Sequence, residues 1–214
     1  VVAAAGNTAG RDAGSPANCP GVIGVAGLRH IGTKVGFSDL GSSIAIAAPG
    51  GNCVNLGAND PCLYPILTTI DSGRQAPGSP AYSDAFNASV GTSFSSPLVA
   101  GTAALLFSVK PTLTPTQVRT AMTSTARPFV ARSAPADPTP TCQAPGNFDQ
   151  LECYCTTSTC GAGMVDANAA IRSVLGAGAA LQPVVSAQPA APEAQQTVVL
   201  SSSTSVVPAG RSIV

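Results

Sequence analysis

Charge and histidine are the scarce components of this chain. Only 9% of its 214 residues are charged, ten basic against ten acidic, so the formal net charge is zero. That balance removes the electrostatic case for nucleic acid or an anionic membrane as a partner. No apolar run reads as long enough to span a bilayer. The single histidine is His30. No signal peptide and no initiating Met open the chain; it starts inside an apolar run, and the expectation is a truncated N-terminus. What is present suits a globular fold. With 44% hydrophobic residues there is enough apolar material for a core, and the length allows one domain plus a tail.

The most informative stretch is Gly91-Thr92-Ser93-Phe94-Ser95-Ser96-Pro97, followed by the apolar run Leu98 to Val109 and then Lys110-Pro111. Lys-Pro stops a helix, so Thr92 or Ser93 reads as the start of one that is apolar on most sides and hence buried. A serine at that point lies near unpaired backbone N–H groups and the positive end of the helix dipole. Capping is the simple role for such a serine. The nucleophile elbow of the α/β-hydrolases does not fit, because position 95 is Ser where that turn needs Gly. The chain opens Val1-Val2-Ala3-Ala4-Ala5-Gly6-Asn7, a buried strand running into a turn. Asn7 alone reads as an ordinary turn residue.

Taken together, Gly-Thr-Ser-x-Ser-x-Pro with Val99-Ala100-Gly101 and the Gly6-Asn7 strand end resemble the subtilisin-like serine proteases. Pro16-Ala17, Val22 to Ala26, Phe37 to Gly41, Ala47-Ala48-Pro49-Gly50 and Ile66 to Ile70 follow in family order, and the resemblance runs from residue 1 to about residue 176. It implies an α/β fold, a three-layer parallel sheet of the subtilisin-like type, incomplete at its N-terminal side. It also implies a secreted bacterial serine endopeptidase acting on polypeptides, with Ser93 as nucleophile and Asn7 as a side-chain donor to the oxyanion. In subtilisin itself, losing that donor costs roughly a hundred- to a thousandfold in rate. Ala4, Ala5 and Gly6 would form one wall of the pocket for the residue before the scissile bond, and Gly14 its base. Small residues there imply room for large apolar or uncharged side chains.

The same resemblance shows what is missing. A serine nucleophile needs a base and a carboxylate to orient it. In the family the order is Asp, His, Ser, with both partners on the order of a hundred residues or more ahead of the serine. Only 92 residues precede Ser93. The expectation is therefore that Asp and His belong to a missing N-terminal part, which would be a partner of this chain, and that the chain alone is inactive. His30 loosely matches the family's histidine motif but has an extra residue after it and falls in a variable turn; it is expected to be a solvated loop residue. Phe94 and Leu98 stand where the family commonly has Met and His, and read as packing changes. Ser43 and Ala45 stand where relatives carry an acidic group, so no metal site is expected there. No cofactor is expected, with structural calcium left open for the full-length protein.

Seven cysteines suit an oxidising compartment, and the odd count leaves one over. The resemblance makes Cys19 the orphan, its partner lying upstream. Cys53 and Cys62 are expected to close a short loop. Cys142, Cys153, Cys155 and Cys160 are expected to make two bridges of open connectivity. Zinc is the rival for Cys153-x-Cys155…Cys160, weakened by the lack of a second ligand pair or a nearby histidine.

Further along, 51–65 reads as an inserted loop and 71–84 as a Gly-, Pro- and Ser-rich return to a short strand at Phe86 to Ser89. Thr114-Pro115-Thr116-Gln117 is a capping box opening a helix to about Thr125. Residues 130–160 read as irregular and cysteine-clipped, and Asp166 caps a last helix ending at Gly176. Residues 1–176 are then the C-terminal portion of the peptidase domain, 177–194 an Ala/Pro/Gln-rich linker, and 195–214 the truncated start of a β-rich, immunoglobulin-like domain. Two rivals stand beside the enzyme: a non-catalytic subtilase-like binding module, and an unrelated disulfide-clipped surface domain.

Overall fold

The computed structural model describes residues 1–51, 66–83, 90–132, 134 and 136–175, together with the backbone of two short strands at 186–188 and 199–201. The expected Cys53–Cys62 bridge, most of the inserted loop and the expected strand at Phe86 to Ser89 lie outside these residues.

Three short apolar runs form the central sheet: β1 (Val2–Ala4), β2 (Ile23–Leu28) and β3 (Ile44–Pro49), in that spatial order. All pair in parallel, with Ala4 beside Val25 and Ala26 beside Ala47, and the β2–β3 register shifts between Gly24 and Val25. Every residue of β2 is buried, as a strand covered on both faces requires. Ile23 and Val25 join Ile46, Val99, Leu106, Val118 and Met122 on the helical side. Ala26 and Leu28 join Ala3, Ala5, Ala47 and the four paired cysteines on the other. The middle layer is thus flanked by helices on one face and by disulfide-clipped loops on the other.

In chain order between β3 and the first helix lies an antiparallel hairpin, β4 (Thr68–Asp71) and β5 (Pro80–Ser83), mostly exposed. The first of these strands was expected; the second lies in the stretch read as a Gly-, Pro- and Ser-rich return. Helix α1 (Thr92–Val109) contacts all three sheet strands, and α2 (Pro115–Ser124) and α3 (Ala167–Leu175) pack against it. The Thr114 capping box is formed in both directions, and Asp166 accepts the Ala169 N–H at 2.9 Å. Two strands near the C-terminus, β6 (Ser186–Gln188) and β7 (Val199–Ser201), pair antiparallel. β6 falls within the stretch read as a linker and β7 within the stretch that follows.

Helix α1 departs from expectation. Its buried residues are Thr92, Ser95, Val99, Thr102 and Leu106, a single stripe laid on the sheet. Leu98 and Leu105 on other sides are 44% and 49% exposed, so α1 is covered on one face only among the described residues. The expectation of burial came from composition, which cannot count the neighbours available. The same 18 residues are also long and apolar enough to cross a membrane by those two measures alone, which corrects the statement that no run reaches that length. Its buried stripe packs on the central sheet, as a helix of a globular core does.

The C-terminal cysteines pair as Cys142–Cys153 and Cys155–Cys160, which resolves their open connectivity. Sulfurs of Cys142, Cys155 and Cys160 lie within 4.8 Å of one another, but each belongs to a disulfide. Cys19 is unpaired and exposed.

Candidate active site

The start of α1 defines the site. An α-helix leaves its first backbone N–H groups without helical partners. Here the cap position is Gly91, at φ 139°, and no local side chain caps the helix. Ser93 therefore does not cap; it is exposed at the second helical position. Asn7 supplies the cap from across the fold. Its Oδ1 accepts the Thr92 N–H and the Thr92 hydroxyl, both at 3.0 Å. The Phe94 N–H goes to the Gly91 carbonyl at 3.0 Å. The Ser93 N–H has no acceptor among the described residues.

This bonding orients the Asn7 amide. With Oδ1 engaged by residue 92, Nδ2 is the end left to donate. A side-chain carbon built on Gly91 would lie 3.5 Å from Asn7 Nδ2 and 3.7 Å from Ser93 N. Both N–H donors thus border one small region in front of the helix, and the glycine keeps it open. Thr92 closes the back of the site. It is fully buried, and its hydroxyl also accepts the Gly6 N–H at 3.3 Å and lies 3.2 Å from the Gly6 carbonyl. In the sequence Thr92 read only as one of two candidate helix starts, with no part in the site. Only the distances to Gly6 and Asn7, more than eighty residues away, reveal its part.

The expected pocket residues are arranged unevenly. Ala4 and Gly6 are half-buried at the end of β1 and just beyond it. Ala5 is only 1% exposed, its N–H donates to Val25 and its carbonyl accepts the Gly14 N–H at 3.3 Å. Ala5 therefore offers a substrate no side chain. Gly14 is exposed with open space beside it. The Ser15–Pro16 peptide bond is cis. His30 is exposed on the tight turn between Leu28 and Lys34.

Behind Asn7 sits a buried polar group of a kind the sequence reading did not single out. Asp39 is 3% exposed. Its carboxylate accepts the Thr8 N–H at 3.0 Å, the Thr8 hydroxyl at 2.8 Å and the Arg11 N–H at 3.0 Å. Lys34 is fully buried, and its ammonium donates to the carbonyls of Val35 and Gly36 at 3.1 Å and Ser38 at 2.8 Å. Burial pulls the Lys34 ammonium down from 10.5 to about 8, while the Asp39 charge opposes the shift. In so uncharged a chain, an acid and a lysine five residues apart within an apolar stretch was the available signal.

Residues 1–178 match the family model described as the subtilase family. The chain is 38% identical over 177 residues to an extracellular protease of Xanthomonas campestris pv. campestris, covering 82% of this chain and 24% of that protein. It is 31% identical over 182 residues to an extracellular basic protease of Dichelobacter nodosus, covering 82% of this chain and 23% of that protein. Among solved structures, a protease from Pseudoalteromonas arctica matches with a TM-score of 0.58 and 34% identity, over 79% of this chain and 41% of that one. The chain thus spans well under half the length of each of these proteins.

Proposed function

This chain belongs to the subtilase family, and we propose that the protein it comes from is a secreted serine endopeptidase. Ser93 Oγ attacks the carbonyl carbon of a peptide bond. The carbonyl oxygen becomes an oxyanion held by Asn7 Nδ2 and the Ser93 N–H. Collapse of the tetrahedral species expels the amine and leaves an acyl group on Ser93, which water then removes. Ala4, Gly6 and Gly14 line the approach of the substrate chain, and Ala5 lies buried behind them with both backbone groups engaged.

One observation carries this reading. The Asn7 amide is turned by its bonds to residue 92, so that its N–H₂ borders the same space as the Ser93 N–H. The helix dipole adds to the field on that oxygen. Residues 1–214 hold one histidine, His30, exposed on the turn after β2, where the sequence departs from the family's histidine motif. The base and its orienting carboxylate are therefore assigned to a part of the protein outside this chain, and residues 1–214 alone are expected to be inactive. Extracellular relatives and the two disulfides support secretion.

A fluorophosphonate probe tests the reading. It should label Ser93 in the full-length protein and leave Ser93→Ala unlabelled. A full-length protein with intact upstream Asp and His that resists the probe would exclude the enzyme and leave a binding module.

A further inference from the structure

Asn7 stands on an irregular turn, and an irregular turn does not hold a side chain still by itself. The strand before it ends at Ala4, and residues 7–10 are neither helix nor strand. Residue 39 grips this turn on both sides of Asn7. Its N–H donates to the Gly6 carbonyl at 3.0 Å, just before Asn7. Its carboxylate takes the backbone N–H of Thr8, just after Asn7, and that of Arg11, further round the turn. The fit is close: a side-chain carbon on Gly6 would come within 2.3 Å of Asp39 Oδ2. Asp39 is in turn held from behind, since the Lys34 ammonium gathers the carbonyls of residues 35, 36 and 38. Ser38 Oγ meanwhile accepts the Gly27 N–H at 2.8 Å, tying the loop to β2.

We propose that Asp39 is a positioning residue for the reaction: it fixes the turn that aims the Asn7 amide at the oxyanion. The inference rests on the reading of Asn7 given above. Asp39 touches neither substrate nor oxyanion, so its effect passes through Asn7. Misplacing a donor by a fraction of an ångström weakens the transition state more than the bound substrate.

The test is a double-mutant cycle in the full-length protein, following peptide hydrolysis. Asp39→Ala should lower kcat by about ten- to a hundredfold with little change in KM. Asp39→Asn keeps an oxygen for the two backbone N–H groups and should recover most of the loss. In an Asn7→Ala background, Asp39→Ala should cost less than about twofold more, because the donor it aims is gone. Affinity for a peptidyl boronate should fall in parallel with kcat, and that for an uncleaved product peptide should hold. An equal fold-loss with and without Asn7, or an Asn variant as impaired as the Ala variant, would overturn the proposal. If Asp39→Ala does not fold, Thr8→Val removes one donor to the carboxylate. It should cost about threefold in kcat with Asn7 present and nothing without it; unchanged activity would count against the proposal. If Asn7→Ala itself leaves kcat intact, the reading of Asn7 fails first, which separates the two failures.

Discussion

The two donors that face the site stand on unlike supports. The Ser93 N–H belongs to the first turn of α1, where helical geometry points it outward whatever surrounds it. The Asn7 amide stands on a turn whose shape comes from residues far away in sequence: Thr92 in front, Asp39 behind, and Gln150 beside it. Gln150 donates its N–H to the Ala9 carbonyl at 2.7 Å, and its Nε2 reaches the Gly10 carbonyl at 3.3 Å. Arg11 continues the attachment through Gly146 and Asp149. One half of the site is thus a local object and the other a tertiary one. They should answer differently to substitutions.

The largest separation should come from Asn7→Ala. In the full-length protein it is expected to lower kcat by about a hundred- to a thousandfold, the range seen for the matching donor in subtilisin. It also strips α1 of its cap, so unfolding measurements should show a loss of about 1 kcal/mol. A rate loss without the stability loss would mean that α1 caps itself.

Replacing Cys142 and Cys153 by alanine opens the loop that carries Gln150. The closed loop separates the two cysteines by 11 residues, and losing it should cost about 2–4 kcal/mol. Amide exchange should quicken at residues 9–12 and stay slow along the buried stripe of α1. Equal quickening in both regions would mean that the two supports are one.

Lys34 offers a pH handle on the tertiary half. Its ordinary pKa is 10.5 and its folded value about 8. Between those values the unfolded chain binds more protons than the folded one, so stability should rise with pH across that window. Below the window the burial penalty is fully present. The Lys34 contribution to the slope is at most about 1.4 kcal/mol per pH unit. Urea unfolding from about pH 7 to about pH 10 should show this rise in the native sequence and not in Lys34→Met.

The smallest effect is in the local half. Ser95 is fully buried and its hydroxyl has no hydrogen-bond partner among the described residues. A carbon built on Gly50 would lie 2.9 Å from that hydroxyl, so the space is tight. Ser95→Ala should stabilise the fold by about 1 kcal/mol and leave the Asn7 turn unchanged. A loss instead would reveal an acceptor for the hydroxyl.

The same division explains how much could be read in advance. The strands at residues 2–4, 23–28 and 44–49 are short apolar runs with turn residues at their ends, and the capping box at Thr114 is a four-residue pattern. Both kinds of signal are local. The β4–β5 hairpin was half visible, because Pro80 to Ser83 has no alternation and gains its order from pairing with Thr68 to Asp71. Cysteine pairing was open because spacing alone permits several connectivities; the folded chain joins Cys142 to Cys153 and Cys155 to Cys160, with the Lys34 N–H on the Cys153 carbonyl. The uncovered face of α1 was invisible for a related reason: composition says that a helix wants burial, not whether a neighbour is there to supply it.

By itself, the order of residues determined the family, the strand and helix starts, and the two candidate groups at positions 7 and 93, because each depends on a few adjacent side chains. Only the tertiary structure decided which end of the Asn7 amide faces the site, which buried acid braces its turn, and which cysteines join. The first two rest on contacts between segments from about thirty to more than eighty residues apart, and such contacts exist only once the sheet has brought the segments together; the cysteine pairs are close in sequence, and there the spacing alone left more than one connectivity open.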